Sequence, residues 1–426
     1  MNAETYNAYV AILHDELVPA MGCTEPIAIA YAAALARDTL GVTPERIEIQ
    51  ASGNLIKNVK SVVVPNTNGL KGIEAAAAAG VIAGDAGRAL EVISRVSPDQ
   101  KERIRDMASR NMCSVSLLES GRVLDLIITL RAGDLWARVR IADRHTNVVL
   151  VEKNGSVLLE KPAEASGELS PEKRLLNIRD IVAFAQTVDL DDVRDVLLRQ
   201  VQCNMAVCEE GMRSSYGGNV GKVLLRELGD SVLVRCKAMA AAGSDARMGG
   251  CELPVIINSG SGNQGITVTV PVVEYARELG RDEDAMLRAL VISNLTAIHQ
   301  KAGIGCLSAY CGAISASAAA GAGIAYLLGG GVYEIEHTLV NCLAVSSGVV
   351  CDGAKASCAG KIAIGLDAAL LGYLMIKNKQ QFRGGDGILQ KGAEETIRMV
   401  GRLGRDGMRE TDREILHIMI GDRERA

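Results

Sequence analysis

Residues 123–160 read VLDLIITLRAGDLWARVRIADRHTNVVLVEKNGSVLLE, a succession of apolar and β-branched runs with period-two alternation, broken at short intervals by turn residues. Asn154-Gly155 inside it is the strongest hairpin signal in the chain, because a two-residue turn with positive φ at both positions suits that pair. With SVSLLES at 114–120 the strand-like region runs from Cys113 to Leu159, and it predicts a sheet of mainly antiparallel type. Upstream, 26–40 (PIAIAYAAALARDTL) reads as a helix begun by Pro26 and stopped by Gly41. Residues 45–65 (ERIEIQASGNLIKNVKSVVVP) alternate like a strand, 73–94 return to Ala-rich helix, and a stretch of mixed charge follows at 99–110. Downstream, 161–172 (KPAEASGELSPE) has the composition of a linker. Beyond it the pattern is helical over 177–200, 203–230, 232–242, 272–300, 306–328, 334–346, 360–377 and 392–416. The fold class expected is therefore α+β. A mixed α/β domain (1–165) with an antiparallel-type sheet precedes a mainly α-helical, Gly/Ala-rich domain (166–426).

Composition agrees with a large buried core: 48% of the 426 residues are hydrophobic and 23% charged. Aromatics make up only 3%, against 45 glycines, so the core must be built from aliphatic and small side chains that let backbones approach closely. The net charge of −5, with Lys and Arg scattered, offers no electrostatic footprint for nucleic acid. The N-terminus carries Glu4, Asp15 and Glu16 where a secretory signal needs a basic and then an apolar stretch, which predicts a cytoplasmic protein. Residues 302–333 lack any charge, yet their eight glycines and several serines suit a helix buried inside a domain better than one facing lipid, so no membrane partner is expected.

Gly260, Gly262 and Gly265 match G-x-G-x-x-G after the apolar run Leu253–Ile257. The β-branched ITVTV that follows, closed by Pro271, reads as a strand where a dinucleotide site needs a helix, so the match is set aside. A loop of this composition still suits an anion such as a substrate carboxylate, since small residues let successive amides converge. Gly217-Gly218-Asn-Val-Gly221-Lys222 is a failed phosphate-loop match, with Val223 in the hydroxyl position.

The eleven cysteines of a chain expected in a reducing compartment point to thiolate or metal chemistry instead of disulfides. Cys351 and Cys358 stand seven apart in CDGAKASC, and Cys311 lies in a Gly/Ala-rich stretch with Cys306 five residues before it. Three thiolates can hold a [4Fe–4S] cluster and leave one iron open; small buried hydrophobes are the other reading of the same residues. Cys23, in MGCTEP just ahead of a helix, is placed where amides and the helix dipole lower a thiol pKa, so that a thiolate could act as base or nucleophile. Cys113, Cys203, Cys208, Cys236, Cys251 and Cys342 are read as core. The five histidines lie far apart and show no zinc pattern.

MGCTEPIAIAYAAALA, AAGSDARMGGCELPVIINSGSGNQGI, AYCGAISASAAAGAGIAYLLGG and VVCDGAKASC together resemble the L-cysteine desulfidase family, relatives of the iron–sulfur L-serine dehydratase alpha chain. The resemblance spans essentially the whole chain. It implies a [4Fe–4S] cofactor on Cys311, Cys351 and Cys358, with Cys306 as the alternative to Cys311, and Cys23 as base. It implies an α,β-elimination, without pyridoxal phosphate, that turns L-cysteine into pyruvate, ammonia and hydrogen sulfide. L-serine dehydration on the same cluster, or a non-enzymatic iron–sulfur sensor, are the alternative functions. The substrate carboxylate is expected on Ser259, Ser261, Gly262, Asn263 and Gln264, with Thr24 and Asn54 as lesser contributors. A homodimer is the expected assembly.

Overall fold

A computed structural model describes residues 1–162, 169–305 and 307–421. Half of the expected linker at 161–172, residues 163–168, falls outside them, as does Cys306. The architecture is α+β, as the strand-like run and the helical periodicity predicted. The N-terminal half holds helices α1 (Ala3–Glu16), α2 (Thr24–Leu40), α3 (Gly53–Val59), α4 (Ile73–Ala83) and α5 (Pro98–Ser109). Its strands are β1 (Pro19–Met21), β2 (Arg46–Ala51), β3 (Cys113–Leu117), β4 (Asp125–Ala132), β5 (Leu135–Ala142), β6 (Val148–Lys153) and β7 (Ser156–Glu160). Six of them form one sheet in the order β3-β2-β4-β5-β6-β7, in which only the β2–β3 pair is parallel. The β6–β7 hairpin turns at Asn154-Gly155 with φ of 48° and 84°, the positive pair its sequence called for.

Helix α2 lies across this sheet and against α4, so its Ala-rich surface is buried almost all round. The approach is close: a Cβ on Gly80 of α4 would stand 2.1 Å from the Ala30 carbonyl oxygen.

The second half contains α6 (Pro171–Arg174), α7 (Ile178–Thr187), α8 (Arg194–Arg213), α9 (Val220–Leu228), α10 (Val232–Met248), β8 (Pro254–Ile256), α11 (Gly262–Glu278), α12 (Glu283–Ile304), α13 (Gly312–Leu327), α14 (Val332–Ser346), α15 (Cys358–Lys377), α16 (Ala393–Arg402) and α17 (Arg409–Ile420). Helix α13 is the axis of a bundle formed with α11, α12, α14 and α15, and its small residues are almost all buried. The described part of the uncharged stretch 302–333 includes the end of α12, the core helix α13 and the first two residues of α14. Among the described residues one helix, α15, is long and apolar enough by length and composition to cross a membrane, and half of its apolar window is buried.

Two sequence readings need correction. Residues 53–59 are helical, not extended, because Ser52 in an extended conformation ends β2 and starts a turn of helix. Residues 262–278 are also a helix, with Pro271 inside it. Nearly every residue from Gly262 to Ala276 is buried, and packing on all sides overrides the weak helix propensity of the β-branched run. The glycine loop therefore does open into a helix. Its strand β8, however, pairs antiparallel with β1 and belongs to no βαβ unit.

Several contacts join the two halves of the chain. The β1–β8 ladder is one. Tyr6 and Tyr9 of α1 pack edge-on against Phe184 of α7, and α17 returns to pack on α3.

Candidate active site

Four helix N-termini meet where the halves join. Cys23 is the N-cap of α2, Ser261 of α11 and Cys311 of α13, while Cys358 opens α15. The amides of each first turn have no intrahelical acceptor, so the region favours anions such as thiolates and carboxylates.

The MGCTEP turn and the glycine turn are locked together. Asn258 and Ser261 exchange both main-chain hydrogen bonds across Ser259 and Gly260, whose φ values are 50° and 76°. Thr24 Oγ1 donates to the Gly260 carbonyl at 2.9 Å. Arg247, buried on α10, donates from Nε to the Gly22 carbonyl at 2.8 Å. Gly262 leaves room for that guanidinium: a Cβ there would sit 2.3 Å from Nε. Gln264 in turn packs its amide on Gly312, beside Cys311.

Cys311 and Cys351 are held by paired backbone. Tyr310 and Val350 form an antiparallel bridge, the Cys311 N–H donates to Val349 O at 3.2 Å, and the Cys351 N–H donates to Ala309 O at 2.6 Å. Cys358 packs against a small cluster formed by Cys23, Val62 and Met248. The charges of Cys351 and Cys358 act on Cys311, and that of Cys351 acts on Cys358. Burial pushes the Cys311 thiol up to about 12, and Cys351 and Cys358 add to the rise. Burial and Cys351 likewise raise Cys358, against the nearby cations Lys355 and Lys361. Lys361 donates to Val350 O at 2.9 Å and pairs with Asp352, which also binds Lys355.

Of the residues read from the sequence, then, Cys23, Thr24, Ser259, Ser261, Gly262, Gln264, Cys311, Cys351 and Cys358 are tied into one region by these contacts. Asn263 opens the second position of α11 with Oδ1 buried and unpartnered, and Gln264 Oε1 is likewise unpartnered. Asn54 lines a cavity of about 1030 Å³ together with Ser259, Gly260, His145, Lys301 and Ser308, and its Oδ1 is also buried without a partner. Cys208, Cys236 and Cys342 are buried in α8, α10 and α14.

One electrostatic expectation is overturned. Cys23 is fully buried and its thiol is pushed well above the usual value, first by burial and then by the charge of Glu25; Arg247 opposes this without prevailing. The helix terminus alone does not make a thiolate. Glu25 and His145 were not singled out from the sequence, although Glu25 stands two residues from Cys23. Cys23 Sγ donates to Glu25 Oε2 at 2.9 Å. Asn58 Nδ2 also donates to this carboxylate at 3.3 Å, and Thr24 Oγ1, whose one proton is given to Gly260, lies 3.1 Å from it. His145 Nε2 lies 3.9 Å from Glu25 Oε1, an ion-pair distance and not a hydrogen bond. Lys57 was missed as well: its buried ammonium reaches Asp412 of α17 and the Cys351 carbonyl.

Residues 87–417 match the family of the serine dehydratase alpha chain. The chain belongs to that family. It is similar over its full span to UPF0597 proteins: 55% identical to one of Desulfitobacterium hafniense over 97% of each chain. It is 47% identical to one of Finegoldia magna over 97% of this chain and 99% of that one, and 45% identical to one of Treponema denticola over 99% and 100%. The matched segment contains the glycine turn, His145 and the three clustered cysteines; the MGCTEP turn precedes it.

Among the described residues no three Cys, His, Asp or Glu side chains converge to hold a single metal ion. A cubane cluster asks for something else, one thiolate on each of three separate irons around a shared space. By donor type Cys311, Cys351 and Cys358 suit that demand: Cys351 and Cys358 act electrostatically on Cys311, Cys311 and Cys358 stand at helix N-termini, and Lys361 is close by.

Proposed function

We propose that the protein is a lyase that eliminates the β-substituent of a small L-amino acid without pyridoxal phosphate, with L-cysteine as substrate and pyruvate, ammonia and hydrogen sulfide as products. The observation that carries the reading is the meeting of the MGCTEP turn, the glycine turn and three interacting cysteines at one place in a chain of the serine dehydratase family. Cys311, Cys351 and Cys358 would hold a [4Fe–4S] cluster. When bound, it supplies a Lewis-acid iron for the departing sulfide or hydroxide.

The chain's own groups have distinct tasks. The first amides of α11, with the side chains of Ser259, Ser261, Asn263 and Gln264, bind the substrate carboxylate and stabilise the charge that builds on it as the Cα proton leaves. Asn263 Oδ1 and Gln264 Oε1, unpartnered acceptors, suit the substrate ammonium. Cys23 removes the Cα proton. Thr24 fixes the spacing between that base and the carboxylate site by its bond to Gly260. The aminoacrylate released tautomerises and hydrolyses to pyruvate and ammonia. The family name favours a second reading, L-serine as substrate, since either leaving group would face the same iron.

The test is turnover by anaerobically purified protein. Sulfide and pyruvate from L-cysteine, at a kcat/KM above that for L-serine, support the first reading; ammonia and pyruvate from L-serine alone support the second. An iron-loaded protein that releases pyruvate from neither would refute both.

A further inference from the structure

A base that has taken a proton from carbon must lose it before the next turnover, so Cys23 needs a place for its proton to go. Among the described residues Cys23 is hydrogen-bonded to one carboxylate, Glu25, and His145 faces that carboxylate. Glu25 Oε2 accepts from Sγ at 2.9 Å, and His145 Nε2 stands 3.9 Å from Glu25 Oε1. His145, in the β5–β6 turn, is 8% exposed, and its Nε2 is buried without a hydrogen-bond partner. The ring rests on the glycine turn, where a Cβ on Gly260 would meet Cε1 at 3.3 Å, and it lines the cavity shared with Asn54 and Ser259. One end of this chain of groups is thus the proposed base, and the other reaches a space large enough for water.

We propose that Glu25 and His145 form a proton path that arms Cys23, running from Sγ through the Glu25 carboxylate to His145 Nε2 and on to the cavity. This rests on the reading of Cys23 as the base of an elimination. In the arming step the S–H bond breaks and a transient O–H bond forms at Glu25 Oε2, an uphill transfer because the fold holds this carboxyl below its usual range, so the proton does not rest there. The carboxyl then turns, or one water bridges the gap, and the proton passes to Nε2 of a neutral imidazole. The result is a thiolate, a carboxylate and an imidazolium, with no change in total charge. The thiolate takes the Cα proton, the imidazolium gives its own to water in the cavity, and Cys23 returns to the thiol.

The surroundings suit the path. Asn58 Nδ2 donates to the carboxylate, and the charge of Arg247 on α10 favours the thiolate form of Cys23. Arg122, Asp143, Arg144 and Lys301 border the cavity beyond His145. Glu25 is therefore a positioning and relaying residue, and His145 exchanges the proton with solvent.

The experiment compares wild type, Glu25→Gln, His145→Ala and His145→Gln, each loaded with iron and sulfide anaerobically. Both histidine variants and Glu25→Gln should keep the iron content and visible spectrum of wild type and lose at least tenfold in kcat with KM little changed. Added imidazole should restore turnover to His145→Ala by entering the cavity, and should do nothing for Glu25→Gln. A second measurement needs no turnover. In metal-free protein the Cε1 resonance of His145, assigned by its loss in His145→Gln, should titrate at lower pH in Glu25→Gln than in wild type. Unchanged kcat in His145→Gln, a loss in His145→Ala that imidazole leaves untouched, or a His145 titration indifferent to Glu25 would overturn the path while elimination by the wild type stands. A loaded wild type that eliminates nothing would overturn the parent reading and the path with it.

Discussion

The link between Lys57 and Asp412 is the structural feature whose removal has the most calculable consequence. Lys57 is 1% exposed on its side chain and Asp412 16%, and the ammonium also donates to the Cys351 carbonyl at 3.3 Å. It therefore ties the C-terminal helix α17 to α3 and to the loop that presents Cys351. Lys57→Met keeps the buried stem but strands a mostly buried carboxylate and frees a carbonyl. Breaking a fully buried pair costs about 3–5 kcal/mol, and the partial exposure of Asp412 brings the expected loss to about 2–3 kcal/mol. Asp412→Leu strands the less exposed partner and should cost more, toward the upper end of that range. The double change Lys57→Met with Asp412→Leu leaves no charge unpaired, so it should lie within roughly 1–2 kcal/mol of wild type, well short of the sum of the singles. Urea unfolding of the four proteins, followed by circular dichroism, gives the cycle. If the singles add in the double, the two groups do not interact, and the attachment of α17 must come from its other contacts. The iron content of Lys57→Met adds a second readout, because the Cys351 loop loses its donor.

Cys23→Ser should keep the iron while turnover falls by at least roughly a hundredfold, the lower end expected for losing a positioned general base; a bleached protein would make Cys23 a ligand instead. Cys351→Ala or Cys358→Ala should abolish the absorbance near 400 nm expected of the cluster together with activity, whereas Cys113→Ala should leave both, and equal loss in all three would mean a packing role. The Glu25 carboxyl, which burial would raise, is brought down to about 2 by His145 and its hydrogen bonds. Its ionised form thus contributes stability that is complete above about pH 5 and is lost as pH falls toward 2. That contribution is roughly 3 kcal/mol, so Glu25→Gln should be less stable than wild type at pH 7 and lose less of its stability on acidification, as read from urea midpoints at both ends. A fragment of residues 173–426 should be inactive, since it lacks Cys23, and light scattering of the whole chain should give a dimer.

The sheet was legible because its strands carry the two signals that survive without tertiary context, alternation and an Asn-Gly turn. The helices 53–59 and 262–278 were not, for opposite reasons. The first is a single short segment inside a run that alternates, and only the end of β2 at Ser52 separates the two. The second carries strand-forming residues and an internal proline, and it is helical because α8, α10, α12 and α13 enclose it. The site divides in the same way. Cys23 could be marked in advance because it stands just ahead of a helical pattern, a local feature, whereas Cys311, Cys351 and Cys358 were marked by cysteine spacing and by the family resemblance. Glu25 shared that local setting, yet its importance comes from His145, 120 positions away in the β5–β6 turn, and no periodicity records that approach. Burial has the same character. A helix terminus favours a thiolate by an amount fixed within one turn of chain, whereas the desolvation that outweighs it at Cys23 is imposed by Val62 and Met248, neighbours from distant segments. The chemistry assigned to Cys23 thus depends less on its own turn than on whether the fold gives its proton somewhere to go.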